Sequence, residues 1–394
     1  MIRTNPTIFQ PSIFQSLFDI YKEKIFQISD TLQKPSPIYT LRVNTLKSDA
    51  DTIIKEAKKD GLKLKKYHYK GIKIPEIIYY KPLLKRRKIK RLKKTIQVDK
   101  FAAESISQGA NLYRPGVKKW TRFDEKDIIS IIFNMNGAEI VVANAQAMTS
   151  SKRIAKSKKG IVAKNVKSLY NGVAIHDLNI FKKGYIYNQS LPTIITSRIL
   201  NPETSDFIID LCAAPGGKTT HLAQLMNNKG KILAIDRSDN KIQSIKTNLN
   251  RLGVKNVSLK NLDSTKLEGL KANKILIDPP CSGLGIRPTI IDYTTIKDVN
   301  NLATYQKKFL HAAVRNIESG GLVVYSTCTL TLEENEMNVH YMIKKLGCKI
   351  DKQSIFIGNP GFSISNNDSL KYTQRFSPIK NKCPGFFIAK LKAP

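Results

Sequence analysis

The sequence predicts an α/β protein whose C-terminal half folds as a doubly wound parallel sheet, preceded by a small α+β unit and a β-rich module. Three observations carry the prediction. From about Leu178 onward, apolar runs (FIIDL, KILAID, VSLKNLD, KILIDPP, GLVVYST) alternate with stretches of helical period, the pattern of strands joined by covering helices. Between Gln97 and Ile175 the apolar runs are short and broken by glycine and asparagine, as in antiparallel β structure. A chain of 394 residues also exceeds one ordinary core, so two or three domains are expected.

Taken in order, Ile13, Phe14, Leu17, Phe18, Tyr21 and Ile25 recur at helical spacing and predict one amphipathic helix over about 12–32, packed on something larger. IYTLRVNTLK predicts a strand. Ile53, Ile54 and Ala57 predict a helix that stops near Gly61, and alternation from Leu62 to Tyr69 predicts a second strand. From Lys81 to Lys94 nine of fourteen residues are basic, a density that attracts phosphates or forms a solvated loop. DIISIIF, Asn136-Gly137 and AEIVVANAQA read as a hairpin, since Asn-Gly supplies the positive-φ positions of a tight turn. Trp120 and Phe123 are candidates to stack on bases, although an aromatic in a β module more often fills its core. Further on, Ile242, Ile245, Leu249 and Leu252 share a helical face that Gly253 ends. The run Gly385 to Leu391 predicts an edge strand. These changes of texture divide the chain into residues 1–95, 96–176 and 177–394.

A formal charge of +35 points to a polyanionic partner, nucleic acid first, with a merely solvated Lys-rich surface as the alternative. No apolar stretch is long enough to cross a bilayer and the first residues lack the apolar centre of a signal peptide, so a cytoplasmic protein is expected. Five widely spaced cysteines form no CxxC pair and read as reduced thiols. Cys348 is expected to be a packing residue.

Pro215, Gly216 and Gly217 follow a buried strand and open a helix, where backbone can approach a ligand closely. A phosphate-binding P-loop needs glycine at the position held by Cys212, and G-x-G-x-x-G is absent. Asp236 lies at a strand end about twenty residues past the glycines, suited to ribose hydroxyls, with Arg237 beside it. Asp263, at the end of the next strand, suits an adenine edge. A nucleoside-type cofactor such as S-adenosylmethionine fits better than ATP or NAD, and another nucleotide-binding domain remains open on spacing alone.

Asp278, Pro279, Pro280 and Cys281 end one strand, and Thr327 and Cys328 end another. Carbon 5 of a pyrimidine becomes nucleophilic only after something adds to carbon 6, and a thiolate does this reversibly. Lys218 and the adjacent helix N-terminus are candidates to help ionise a thiol. Asp278, if protonated, could donate to ring nitrogen 3, and the second thiol can remove the carbon 5 proton. Either cysteine alone could be a buried small residue. Spacing leaves open which thiol attacks, and a metal site with Cys212 lacks ligand spacing.

DLCAAPGGKT, IDPPCSGLGIRP and VYSTCTLTLEENE resemble the Nop/Sun (NSUN) family of RNA cytosine-5 methyltransferases over Gln189 to Leu391. GANLYRPGV, VVANAQA and GIVAKNV are similar to an inserted PUA domain, and RVNTLK to the family's N-terminal RNA-binding unit. The resemblance implies a Rossmann-like S-adenosylmethionine-dependent domain and the PUA-containing branch, whose members methylate cytosine 72 in the acceptor stem of certain tRNAs. It implies that Cys328 is the nucleophile and that Cys281 assists elimination. Donor binding would fall to Cys212, Ala213, Ala214, Pro215, Gly216, Gly217 and Lys218, with Asp236, Arg237, Asp263 and Asp278, the last also facing the cytosine. The expected partner is tRNA, gripped at its acceptor stem and CCA end by a monomer with no metal. Ribosomal RNA as substrate, or a non-catalytic RNA-binding scaffold, are the rival readings. The residues Ile379 to Pro384 depart from the family's usual histidine and acid before the last strand.

Overall fold

The structure, a computed structural model, describes residues 8–394 apart from Lys70, Leu83 and Asn366. Helices α1 (Pro11–Tyr21) and α2 (Lys24–Leu32) replace the single helix expected over 12–32. Lys22 takes a φ of 50° and its N–H bonds to Phe18 O at 2.7 Å, which ends α1. The break lets Ile13 and Leu17 of one helix and Ile25, Ile28 and Leu32 of the other enter one cluster with Leu284, Val299 and Leu330 of the C-terminal half. One continuous rod could not wrap that surface.

Next come β1 (Tyr39–Val43), α3 (Ala50–Lys59), β2 (Lys65–Tyr69) and β3 (Ile72–Tyr80); Asp49 caps α3 by accepting from the N–H groups of Asp51 and Thr52. The basic segment 81–94 carries no regular structure and is mostly exposed among its described residues. The module consists of β4 (Thr95–Val98), α4 (Lys100–Ser107), β5 (Leu112–Tyr113), β6 (Val117–Trp120), β7 (Ile128–Met135), β8 (Ala138–Ala147), α5 (Ser151–Lys156) and β9 (Ile161–Ser168). Its six-stranded sheet has the order β5-β9-β8-β7-β4-β6. Asn136 (φ 51°) and Gly137 (φ 90°) make the hairpin turn between β7 and β8. Phe123 is buried in the module's core, and Trp120 lies under the Arg114 guanidinium, 5.5 Å from ring centroid to carbon.

After α6 (Asn179–Lys182), β10 (Ile186–Asn188) returns to pair with β1, completing a four-stranded sheet in the order β10-β1-β3-β2. The C-terminal half holds α7 (Leu191–Leu200), β11 (Phe207–Asp210), α8 (Gly217–Leu225), β12 (Lys231–Asp236), α9 (Asp239–Leu252), β13 (Val257–Asn261) and β14 (Ala272–Ile277), then α10 (Ile296–Asn316) and β15 (Ile317–Thr327). It finishes with α11 (Glu336–Leu346), β16 (Lys349–Ile350), β17 (Asn359–Pro360), β18 (Gln374–Phe376) and β19 (Phe386–Lys392). The sheet order is β13-β12-β11-β14-β15-β19-β18-β17, with β16 also on β19. The five strands from β13 to β15 are parallel.

Strand alternation separates the two faces. Ile209, Ile275 and Val323 meet α10 and α11, while their neighbours Ile208, Leu276 and Val324 meet α7 and α8. The expected edge position of the last strand is corrected: β19 lies between β15 and β18 and is antiparallel to both. Phe387, Ile388, Ala389 and Leu391 are fully buried, so unpaired backbone moves outward to the two-residue strand β17. Cys348 is buried in the core, as expected. No helix among the described residues is long and apolar enough to cross a membrane.

Buried charge joins the small N-terminal sheet to α8. Arg42 of β1 donates to Gln189 Oε1 (2.7 Å), Thr220 Oγ1 (2.8 Å) and the Gly217 carbonyl. Glu76 of β3 accepts from Arg198 Nη2 (2.7 Å) and His221 Nε2 (3.2 Å). Burial raises the Glu76 carboxyl, but the hydrogen bonds from His221 and Arg198 outweigh it and bring it to about 2. Burial pushes His221 down to about 4 despite Glu76. An unfolded histidine titrates at 6.5, so the unfolded chain takes up a proton the folded one refuses, and stability falls between pH 6.5 and 4. His221→Gln should flatten this part of the stability–pH curve, measured by thermal melts across that interval. At the other flank, Arg375 binds Glu336, Tyr21 Oη (2.7 Å), Leu330 O (2.8 Å) and Thr331 O (3.0 Å), all buried or partly so. Arg375→Ala leaves the Glu336 carboxylate buried without its cation and should cost about 3–5 kcal/mol in urea unfolding.

Candidate active site

Parallel strands point their carboxyl ends one way, and the order β12-β11-β14-β15 reverses direction of winding between β11 and β14, the position where such sheets open a crevice. Asp210, Asp236, Asp278 and Cys328 emerge along that edge. Asp210 supports the loop behind the crevice: it accepts from Thr219 Oγ1 (2.7 Å) and Cys212 N (3.4 Å), and burial pushes its carboxyl up to about 6. Ala213 packs against Ala234 and Ile245. Gly216 takes a φ of 99°, and a Cβ on Gly217 would come within 3.1 Å of the Tyr187 ring.

A cavity of about 410 Å³ occupies the crevice. Cys212, Ala214, Asp236, Arg237, Asp263, Asp278, Cys281 and Cys328 line it together; Ala213, Pro215, Gly216, Gly217 and Lys218 are not among its lining residues. At one end Asp236 accepts from Ala214 N (3.4 Å) and pairs with Lys241 (3.3 Å), and Arg237 donates to Tyr305 Oη (3.3 Å). The Thr265 hydroxyl and N–H hold Asp263 below the usual carboxylate range. Burial and the nearby Asp210, Asp278 and Asp236 push the Cys212 thiol well up, leaving it a neutral part of the wall. Two carboxylates at neighbouring strand ends repel phosphate and suit ribose hydroxyls and a cationic ligand, and Leu211, Leu262, Tyr305 and Phe309 supply apolar walls for a flat base. These residues fit S-adenosylmethionine.

At the other end the sulfurs of Cys281 and Cys328 are 3.2 Å apart. The hydrogen bond to Cys328, then burial and the neighbouring Glu334, raise the Cys281 thiol well above its ordinary range. Asp278 accepts at both oxygens, from Ser326 Oγ (2.7 Å) and Lys218 Nζ (2.6 Å). Lys218 pairs with this carboxylate and lies over the Phe386 ring at 5.5 Å.

The thiol pair depends on residues the sequence motifs did not single out. Glu334 is fully buried and accepts from Ser282 N (2.9 Å) and Gln306 Nε2 (2.8 Å) as well as the Ser282 hydroxyl, while Ser282 Oγ meets Thr329 Oγ1 at 2.6 Å. One carboxylate thus holds the loop after Cys281 against the loop after Cys328. Gly285 donates to Cys328 O (3.0 Å) and its carbonyl accepts from Gly385 N (2.8 Å); a Cβ on Gly285 would stand 2.2 Å from Gly385 O. The acids of LEENE were visible in the sequence, but nothing there says that Glu334 turns toward Ser282 while Glu336 turns toward Arg375. Phe101 also lines the cavity, although it belongs to α4 of the module.

Comparison with known proteins agrees with this arrangement. The family model described as 16S rRNA methyltransferase RsmB/F matches residues 197–392, and the PUA domain model matches 94–169. The tRNA (cytosine(72)-C(5))-methyltransferase of Pyrococcus horikoshii is 41% identical over 393 residues, covering 96% of this chain and 95% of that one. The tRNA (cytosine(72)-C(5))-methyltransferase NSUN6 of Mus musculus is 30% identical, over 80% of this chain and 78% of its own. The crystal structure of NSun6 from Pyrococcus horikoshii with SFG, an analogue of S-adenosylmethionine, superposes with a TM-score of 0.86 at 40% identity, covering 98% of this chain and 99% of that one. Similarity of that extent, through both the module and the catalytic half, establishes that the chain belongs to the Nop/Sun family of RNA cytosine-5 methyltransferases, in its PUA-containing branch.

Proposed function

We propose that this chain methylates carbon 5 of a cytosine in tRNA, at position 72 of the acceptor stem, with S-adenosylmethionine as donor. The observation that carries the reading is the pair of sulfurs 3.2 Å apart in the same cavity as Asp278 and the donor-side carboxylates. In this reading the Cys328 thiolate forms a bond to carbon 6 and the ring electrons move toward carbon 5 and nitrogen 3. Bound S-adenosylmethionine supplies the methyl group to carbon 5. Asp278, oriented by Ser326 and Lys218, accepts from the exocyclic amine, and the Lys218 ammonium beside it offsets the charge that builds on the ring.

Elimination falls to Cys281. Its proton is held by the neighbouring Cys328 sulfur, so conversion of that sulfur to a thioether removes the main cause of its raised pKa. Cys281 then releases its proton to solvent, takes the one on carbon 5, and the electrons of the broken C–H bond expel Cys328 from carbon 6. One proton leaves overall and both sulfurs return to their starting state.

In the same reading, residues 1–95 and the PUA-like residues 96–176 grip the acceptor stem and CCA end, and 177–394 perform the chemistry, as a cytoplasmic monomer without metal. Support for tRNA over ribosomal RNA is the extent of similarity: the tRNA-modifying relatives align through the module, whereas the model described by ribosomal RNA matches 197–392 only. With donor and tRNA present, Cys281→Ala should accumulate a covalent protein–RNA adduct, seen as a shifted band in a denaturing gel, and Cys328→Ala should form none; the reverse result exchanges the two roles. Transcripts lacking the CCA end should be methylated at least about tenfold more slowly than intact ones, and equal rates would remove the module from substrate selection.

A further inference from the structure

Phe101 is 73% exposed yet lines the reaction cavity from the module side, facing a mouth that Ile286, 47% exposed, borders from the catalytic side. Its helix is fixed in place. Lys100 pairs with Asp292 (3.3 Å), Glu104 Oε1 accepts from Ile290 N (3.0 Å), and Ile290 and Ile291 pack on the module's core. Ring and backbone are therefore aimed by a docked element, with an aromatic face left bare and the Lys100 ammonium 5.4 Å from its centroid.

A bare aromatic face beside a cation, at the entrance to a base-sized cavity, is the chemistry of a stacking platform for single-stranded nucleic acid. Attack on carbon 6 requires access to a ring face that stacking covers in a duplex, so the target must leave the stem. We propose that Phe101 stacks on the nucleobase adjoining the extruded cytosine and thereby holds the end of the acceptor stem open. The inference rests on the function proposed above and assigns to the module a direct part in substrate opening.

Single-turnover methylation at saturating donor, on one RNA whose target cytosine is paired and one whose target faces a mismatch, tests it. Phe101→Ala should slow the paired RNA about tenfold or more and the mismatched RNA by no more than about twofold, and Phe101→Tyr should restore the paired rate. Equal rates for Phe101→Ala and the unaltered protein on paired RNA, or equal slowing on both RNAs, would overturn the stacking role. Absence of methylation on either RNA by the unaltered protein would instead refute the function on which it rests.

Discussion

Contact between two sulfurs is the constraint on which the rest of the structure depends. Cys281 and Cys328 leave strands β14 and β15 that are hydrogen-bonded neighbours, so the sheet brings their ends close, but strand spacing alone does not bring side chains to 3.2 Å. The loops must also lean together. Glu334 achieves this by drawing Ser282, Gln306 and Thr331 onto one buried carboxylate, which burial raises and their hydrogen bonds oppose. Tyr325 locks the partner side, donating to Gln306 Oε1 (2.9 Å) and Glu334 O (2.6 Å). Ser282, Gln306, Tyr325 and Glu334 are thereby tied to one another and to β15 and α10, which holds the two thiols in a fixed geometry.

The outer elements serve the same end. Arg42 and Glu76 bind the small sheet to α8, the helix that presents Lys218 to Asp278. Arg375 and Tyr21 fasten the N-terminal helices against Leu330 and Thr331, close beyond Cys328. The module is docked onto the 290–292 loop through Lys100, Glu104 and two isoleucines. The small N-terminal sheet, the module and the thiol pair are thus linked through buried charge and packed side chains, while much of the excess basic charge remains in exposed segments such as 81–94. That division follows from energetics: a lysine gains little when buried and much when it displaces counterions from a phosphate.

Local pattern was enough for several elements. The Asn136-Gly137 hairpin, the α9 face ended by Gly253, and the strands before Cys212, Asp236, Asp278 and Cys328 all stand where periodicity and turn chemistry put them, since these depend on neighbours a few residues away. The break at Lys22 and the interior position of β19 did not. A helix is cut in two when its apolar face must follow a curved surface, and a strand is interior or peripheral according to what later chain returns beside it.

By itself the sequence determined the chemical vocabulary: two strand-end thiols, a strand-end carboxylate, and a donor loop of the wrong spacing for phosphate. It could do so because reactivity is a property of residue type and strand ends are locally encoded. Only the tertiary structure decided that Cys212 and Ala214 but not Ala213 face the cavity, that Lys218 serves Asp278, that Glu334 braces the thiols, and that Phe101 reaches the same mouth from the module. Those choices depend on side-chain direction and on contacts between segments far apart in sequence, which no local pattern records.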